Sequence, residues 1–153
     1  MMKTSGLRDE VRRLAAGCVG LTVRQAARRV TQIYDETLQE SGLSVAQLGL
    51  LAVIATNEDD HMAAIAERAG LDPSTLSRNL RALERDGLIE IAMVEKDLRR
   101  RAVWLTEGGL RRLQAALPAW REAQNQVAEL LPPDLLQQLL AASSSLTAPK
   151  SES

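Results

Sequence analysis

The sequence predicts a mainly α-helical protein with one small β-hairpin, and three observations point there. Apolar residues recur at helical spacing along most of the 153 residues. The period changes from 3.6 to 2 only once, after Gly87, where short apolar segments flank a charged stretch. The helical segments are also punctuated as helices are, by Ser, Thr or Asp before them and Gly after them.

Each element can be justified in turn. Over Leu7–Glu40, Val23, Ala26, Ala27, Val30, Ile33, Tyr34 and Leu38 form an apolar stripe, with Arg24, Arg28, Arg29 and Gln32 largely off it. Gly17 and Gly20 predict a break near Cys18, and Ser41-Gly42 ends the region. Ser44-Val45-Ala46-Gln47 has capping-box spacing and opens a helix to about Ala55, with Leu48, Leu51 and Ile54 as its buried face. Asn57–Asp60 reads as a polar loop. Met62–Ala69 is a short helix ending at Gly70, and Asp72-Pro73 starts the next, with aspartate as N-cap and proline in the first turn. That helix runs to about Asp86 and stops at Gly87. Leu88–Met93 and Arg101–Leu105 then read as two strands around the loop Val94–Arg100. Thr106 caps a long helix to Leu130 with a kink expected at Pro118, and after Pro132-Pro133 a leucine-rich helix spans Asp134–Leu146.

Composition removes several classes of function. Hydrophobic residues make up 45% and charged residues 25%, an ordinary globular balance. No apolar run reaches the length of a membrane span, and Met1–Arg13 lacks the apolar core of a secretory signal, so a cytoplasmic protein without membrane contact is expected. One cysteine and one histidine exclude multi-cysteine zinc sites and His-rich metal cages, and neither metal nor cofactor is expected. With Tyr34, Trp104 and Trp120 as the only aromatic residues, the stacking platforms of single-strand nucleic-acid binders are absent. The net charge of −1 says nothing about DNA, but its distribution is uneven. Met1–Tyr34 carries seven Lys/Arg against two acids, and Asp35–Asp60 carries six acids and no base.

Met62–Asp86 has the spacing of a helix-turn-helix: small Ala66 for a close crossing, Gly70 for the turn, Leu76 as the plug. The second helix of such a unit fits the major groove and must present a polar face to base edges. At about 100° per residue, Ser77, Arg78, Arg81 and Arg85 lie within roughly 60° of Ser74, while Leu76, Leu80 and Leu83 lie opposite. An ordinary amphipathic surface helix would look the same, so this face alone decides little. The hairpin behind it shifts the balance. Its stretch Glu95-Lys96-Asp97-Leu98-Arg99-Arg100-Arg101 can put guanidiniums into a minor groove, with Asp97 pairing Arg99 or Arg100 to aim it. A helix-turn-helix followed by a basic hairpin is a winged helix.

At this point the chain resembles the MarR (multiple antibiotic resistance regulator) family of winged-helix transcription factors. The resemblance spans about Cys18 to Leu130 and rests on an ordered series of segments: Leu43–Gln47, Ala66–Leu71, Ser74–Arg78, Leu83–Ile89, Asp97-Leu98-Arg99-Arg100 and Leu105–Gly109. It implies a homodimer with interleaved terminal helices on a palindromic duplex operator. It further implies repression relieved by a small anionic or phenolic effector, or by an oxidant. Carried over, Ser74, Thr75, Ser77, Arg78 and Arg81 are the recognition-helix candidates, and Asp97, Arg99 and Arg100 the wing candidates. Arg78 is the first choice for direct base readout, since arginine to guanine is the commonest specific contact.

Some residues invite more than they carry. Cys18 is a redox candidate, but it sits about two residues before the sensing position of the peroxide-responsive branch, and the tyrosines around that position are missing. A small apolar packing role is the reading preferred for it. Arg24, Arg28 and Trp120 are candidates for an effector pocket, each with a plainer reading as solvated helix face or packing. His61 reads as a loop residue, and Met62, Met93 and Trp104 as core-compatible or half-buried. Nothing in the chain builds a phosphate-binding loop or a nucleophile–base pair, so no enzyme is expected.

These readings divide the chain into an N-terminal helical region, 1–40, a winged helix-turn-helix DNA-binding domain, 41–105, C-terminal dimerisation helices, 106–147, and a disordered tail, 148–153. Residues 1–40 would join the C-terminal helices in dimerisation, because the outer helices are apolar on more than one side. The alternative is a winged-helix adaptor that docks on a protein. The arginine face argues against it, since an adaptor would expose apolar anchors there.

Overall fold

The computed structural model describes residues 3–57, 61–94 and 97–146, with the backbone alone for residues 3–5, 94 and 97–100. The expected tail, 148–153, and the acidic part of the expected polar loop therefore lie outside the described residues. In chain order the elements are α1 (Lys3–Gly17), α2 (Val19–Leu38), a 3-10 turn (Gln39–Ser41), α3 (Val45–Thr56), α4 (Met62–Ala69), α5 (Pro73–Arg85), β1 (Ile89–Val94), β2 (Asp97–Leu105), α6 (Glu107–Leu130) and α7 (Leu135–Ser145).

Local chemistry explains the boundaries. Cys18 has an extended backbone and separates α1 from α2. At the start of α3 the capping box is complete: the Gln47 N–H donates to Ser44 Oγ at 3.2 Å and the Ser44 N–H to Gln47 Oε1 at 2.9 Å. Asp35 of α2 adds a further acceptor, taking the Val45 N–H at 2.7 Å and tying α2 to α3. Helices α4 and α5 end alike. Gly70 (φ 64°) and Gly87 (φ 71°) are left-handed, and the next N–H in each case reaches back, from Leu71 to the Ala66 carbonyl at 3.0 Å and from Leu88 to the Leu83 carbonyl at 2.9 Å. Both are Schellman closures, which need the positive φ that glycine adopts without strain.

The core gathers Leu38 from α2, Leu48, Leu51 and Ile54 from α3, Ile65 from α4, Leu76, Leu80 and Leu83 from α5, and Ile89 and Val103 from the hairpin. Leu50 is also buried, beyond the face read from the sequence. Helix α3 is apolar nearly all round, as a central helix is, so periodicity could not single out one face. Buried Ala116 and Ala123 let α6 lie close along α2.

β1 and β2 pair antiparallel from Ile89 opposite Leu105 to Met93 opposite Arg101, and then Val94 meets Asp97 across an irregularity. The strands thus run further than Leu88–Met93 and Arg101–Leu105, and Asp97–Arg100 belong to β2 rather than to a loop. The ladder is made by backbone N–H and C=O groups, so charged residues can belong to it without breaking it. Met93 corrects a second expectation. It shares a face with Ile89 and Ile91, but it borders a cleft beside α5 instead of the packed core and is 59% exposed. His61 extends the hairpin by an isolated antiparallel bridge to Ala102.

The chain returning from the hairpin is fastened where α5 ends. Thr106 Oγ1 accepts the Gly109 N–H at 2.9 Å and donates to the Gly87 carbonyl at 2.7 Å, while the Thr106 N–H donates to the Leu88 carbonyl at 3.1 Å. Gly109 is buried against Leu88 so closely that a Cβ would stand 1.9 Å from the Leu88 carbonyl oxygen. Helix α6 then runs as one element through Pro118.

Two elements find little cover within the protomer. Every side chain of α1 from Gly6 to Gly17 is exposed, including the stripe Leu7, Val11 and Leu14, and α7 buries no residue although it carries Leu136, Leu139 and Leu140. Among the described residues, no single helix is long and apolar enough to cross a membrane.

Candidate nucleic-acid interface

Helix α5 separates its residues as the sequence predicts. Leu76, Leu80 and Leu83 are buried, while Ser74, Arg78 and Arg81 are exposed and Thr75 and Ser77 half-buried. Hydrophobic burial on one side therefore fixes which groups face outward on the other. Ser74, Arg78 and Arg81 share the outward face, and Thr75 and Ser77 stand at its two edges.

The N-terminus of α5 is organised by Asp72. Its Oδ1 accepts the Ser74 N–H at 3.0 Å, the Thr75 N–H at 2.9 Å and the Ser74 hydroxyl at 2.6 Å, and its Oδ2 accepts the Thr75 hydroxyl at 2.6 Å. Hydrogen bonds to the charged form hold the carboxyl far below its ordinary value of 3.8, those from the Ser74 and Thr75 hydroxyls acting most strongly. A depressed carboxyl stabilises the fold above its unfolded value and loses that contribution only as pH falls toward the folded one. Asp72 is thus ionised throughout the neutral range. One turn on, Arg78 Nη2 lies 3.4 Å from Thr75 Oγ1, its donor side toward the hydroxyl oxygen.

Between α5 and the hairpin runs a cleft of about 270 Å³ bordered by Ser77, Arg81, Glu84, Met93 and Arg101 among others. Arg101 is a functional candidate that the sequence reading passed over, although it stands in the same basic run as Arg99 and Arg100. Its pairing opposite Met93 is the signal that places it beside α5. Asp97, Arg99 and Arg100 have backbone positions on β2, and their side chains lie outside the described part. On the other side of the hairpin Trp104 Nε1 donates to Glu90 Oε2 at 3.1 Å, so the half-exposed indole is held by its cross-strand partner.

Arg28 borders an open groove of about 680 Å³ along α2 with Thr31, Gln32, Asp35 and Glu36, and neither Arg24 nor Trp120 lines it. Cys18 is half-buried at the α1–α2 break, and Arg12 pairs with Asp9 on its own helix at 3.3 Å. Among the described residues, no group of three or more His, Cys, Asp or Glu side chains could hold a metal ion.

Comparison with known proteins gives a consistent picture. Residues 41–100 match the model of the MarR family. The chain is similar to the Mycobacterium tuberculosis transcriptional regulator MosR solved in complex with DNA, at 34% identity over 86% of this chain and 99% of that one, with a TM-score of 0.76. A second structure of M. tuberculosis MosR agrees at 34% identity, 84% and 95% coverage and a TM-score of 0.73. The fold is shared with Bordetella bronchiseptica BpsR, whose DNA binding is regulated by 6-hydroxynicotinic acid, at 19% identity, 88% and 96% coverage and a TM-score of 0.74. No curated protein sequence matches the chain.

Proposed function

The chain belongs to the MarR family, and we propose that it acts as a homodimeric transcriptional regulator that binds a palindromic site on double-stranded DNA. The observation that carries this reading is the face of α5, where hydroxyls and guanidiniums are turned outward by the burial of Leu76, Leu80 and Leu83 and are followed directly by a basic hairpin. Its relative MosR was solved on DNA. The family is one of transcriptional regulators rather than enzymes, and this chain has no catalytic role in the proposal. Its site of action is the cytoplasm.

Residues 41–105 form the DNA-binding domain in this reading. Ser74, Thr75, Ser77, Arg78 and Arg81 enter the major groove, and Asp97, Arg99 and Arg100 serve the minor groove beside it. Residues 1–40 and 106–147 form the dimer, which covers the apolar faces of α1 and α7 and sets two copies of α5 roughly 34–36 Å apart, one turn of duplex. Binding blocks transcription sterically and is relieved by a small anionic or phenolic effector or by an oxidant. The exposed groove at Arg28 and the effector of BpsR agree with the ligand route.

Two substitutions test the division of labour. Arg78→Ala is expected to cost about 1–3 kcal/mol on the operator and to relax sequence preference, read by competition between operator and random duplex. An unchanged preference would remove Arg78 from base readout. Arg100→Ala should weaken all duplexes alike and lower the log–log salt slope by about one, as loss of one phosphate-neutralising cation requires. A selective loss on the operator alone would instead make Arg100 a base reader.

A further inference from the structure

We propose that Asp72 sets the base preference of this interface by fixing the hydroxyl of Thr75 as a hydrogen-bond acceptor toward DNA. The inference rests on the DNA-binding reading above and adds what the start of α5 recognises: an exocyclic amino group of adenine or cytosine.

The assignment follows from where protons can be. An ionised carboxylate only accepts, so the hydrogen in each hydroxyl–carboxylate contact belongs to the hydroxyl. Thr75 Oγ1 lies 2.6 Å from Asp72 Oδ2 and Ser74 Oγ 2.6 Å from Oδ1, both within the range of charge-assisted bonds. A hydroxyl has one proton, and both protons are engaged. Only lone pairs remain outward. The Arg78 guanidinium, which can only donate, approaches Thr75 Oγ1 at 3.4 Å, the side an acceptor would offer it.

The same carboxylate takes the backbone N–H groups of Ser74 and Thr75 at 3.0 and 2.9 Å. The start of α5 is therefore occupied from within and carries a negative charge, so it does not anchor a phosphate. Purine N7, guanine O6 and thymine O4 are acceptors and meet no donor at Thr75. In the major groove the partners left are adenine N6 and cytosine N4.

Asp72→Asn inverts this arrangement while keeping the cap, because asparagine caps helices about as well as aspartate. Its amide oxygen, facing the backbone, still takes the two N–H groups. Its amino group then faces Thr75 Oγ1 and donates to it, which turns the Thr75 proton outward. The hydroxyl becomes a donor.

Selection of bound sequences from a random duplex library, run with the wild type, Asp72→Asn and Thr75→Val, tests the proposal. The wild type is expected to prefer A or C at one position of each half-site, and Thr75→Val to flatten that position. Asp72→Asn should move the same position toward G or T by roughly tenfold in relative affinity, with circular dichroism confirming that the variant remains folded. An unchanged base at that position in Asp72→Asn, or no flattened position in Thr75→Val, overturns the inference while leaving the regulator reading intact. Failure of all three proteins to enrich any sequence overturns the regulator reading, and the inference with it.

Discussion

Gly109→Ala is expected to lower the midpoint of thermal unfolding by about 6–12 °C, whereas Gly108→Ala leaves it unchanged or raises it. The two glycines are neighbours in the first turn of α6, yet they face different surroundings. A Cβ at Gly109 would lie 1.9 Å from the Leu88 carbonyl oxygen and 2.8 Å from its carbon. Those are backbone atoms and cannot rotate aside, so the start of α6 must move off the turn that closes α5. The movement strains the Thr106 bonds to the Gly87 and Leu88 carbonyls. Overpacking alone costs about 1–3 kcal/mol, and the lost bonds bring the total to about 3 kcal/mol. A Cβ at Gly108 would meet nothing nearer than 3.5 Å, an ordinary contact, and alanine is the better helix former. Thermal melts at matched protein concentration check the pair, since the melting point of a dimer depends on concentration. Equal effects from both substitutions would show that the approach of α6 to Leu88 is not a tight constraint.

Leu14→Glu is expected to convert the dimer to a monomer at micromolar concentration and to weaken operator binding by at least a hundredfold. Leu14 is 60% exposed in the protomer, and Leu136 on α7 is exposed to the same degree. Removing Leu14 therefore takes little from the protomer's own core. In the proposed dimer it is buried on both sides, where each lost leucine is worth about 1.5–3 kcal/mol and each buried carboxylate several more. A monomer engages one half-site and forfeits the effective concentration that links the two. Sedimentation velocity and a melting curve together read the result. A folded variant that stayed dimeric would place the interface elsewhere than α1.

Much of this architecture is legible in the sequence because its signals are local. Ser44, Asp72 and Thr106 cap the helices read for them, and Gly70 and Gly87 close theirs. The polar face of α5 follows from spacing, since Leu76, Leu80 and Leu83 can be buried only with Ser74, Arg78 and Arg81 opposite. What could not be read depends on contacts distant along the chain. Gly108 and Gly109 look alike until Leu88 is placed against one of them. Met93 keeps the strand's alternation but borders the cleft between α5 and the hairpin instead of the core. Arg101 gains its place beside Arg81 from the hairpin register. Asp72 could be read as a cap, but not as the acceptor for two hydroxyl protons, because that depends on the rotamers of Ser74 and Thr75.

The most direct test of duplex recognition is fluorescence anisotropy of the wild type on DNA from upstream of its own gene and on random duplex, from about 50 to about 300 mM salt. Tight binding to the upstream duplex is expected, with one dimer per site, an affinity that falls steeply with salt, and a margin over random duplex of about a thousandfold or more. Equal and weak binding to both duplexes, together with no DNA recovered in a genome-wide pull-down, would contradict the account and leave the arginine face of α5 to a protein partner.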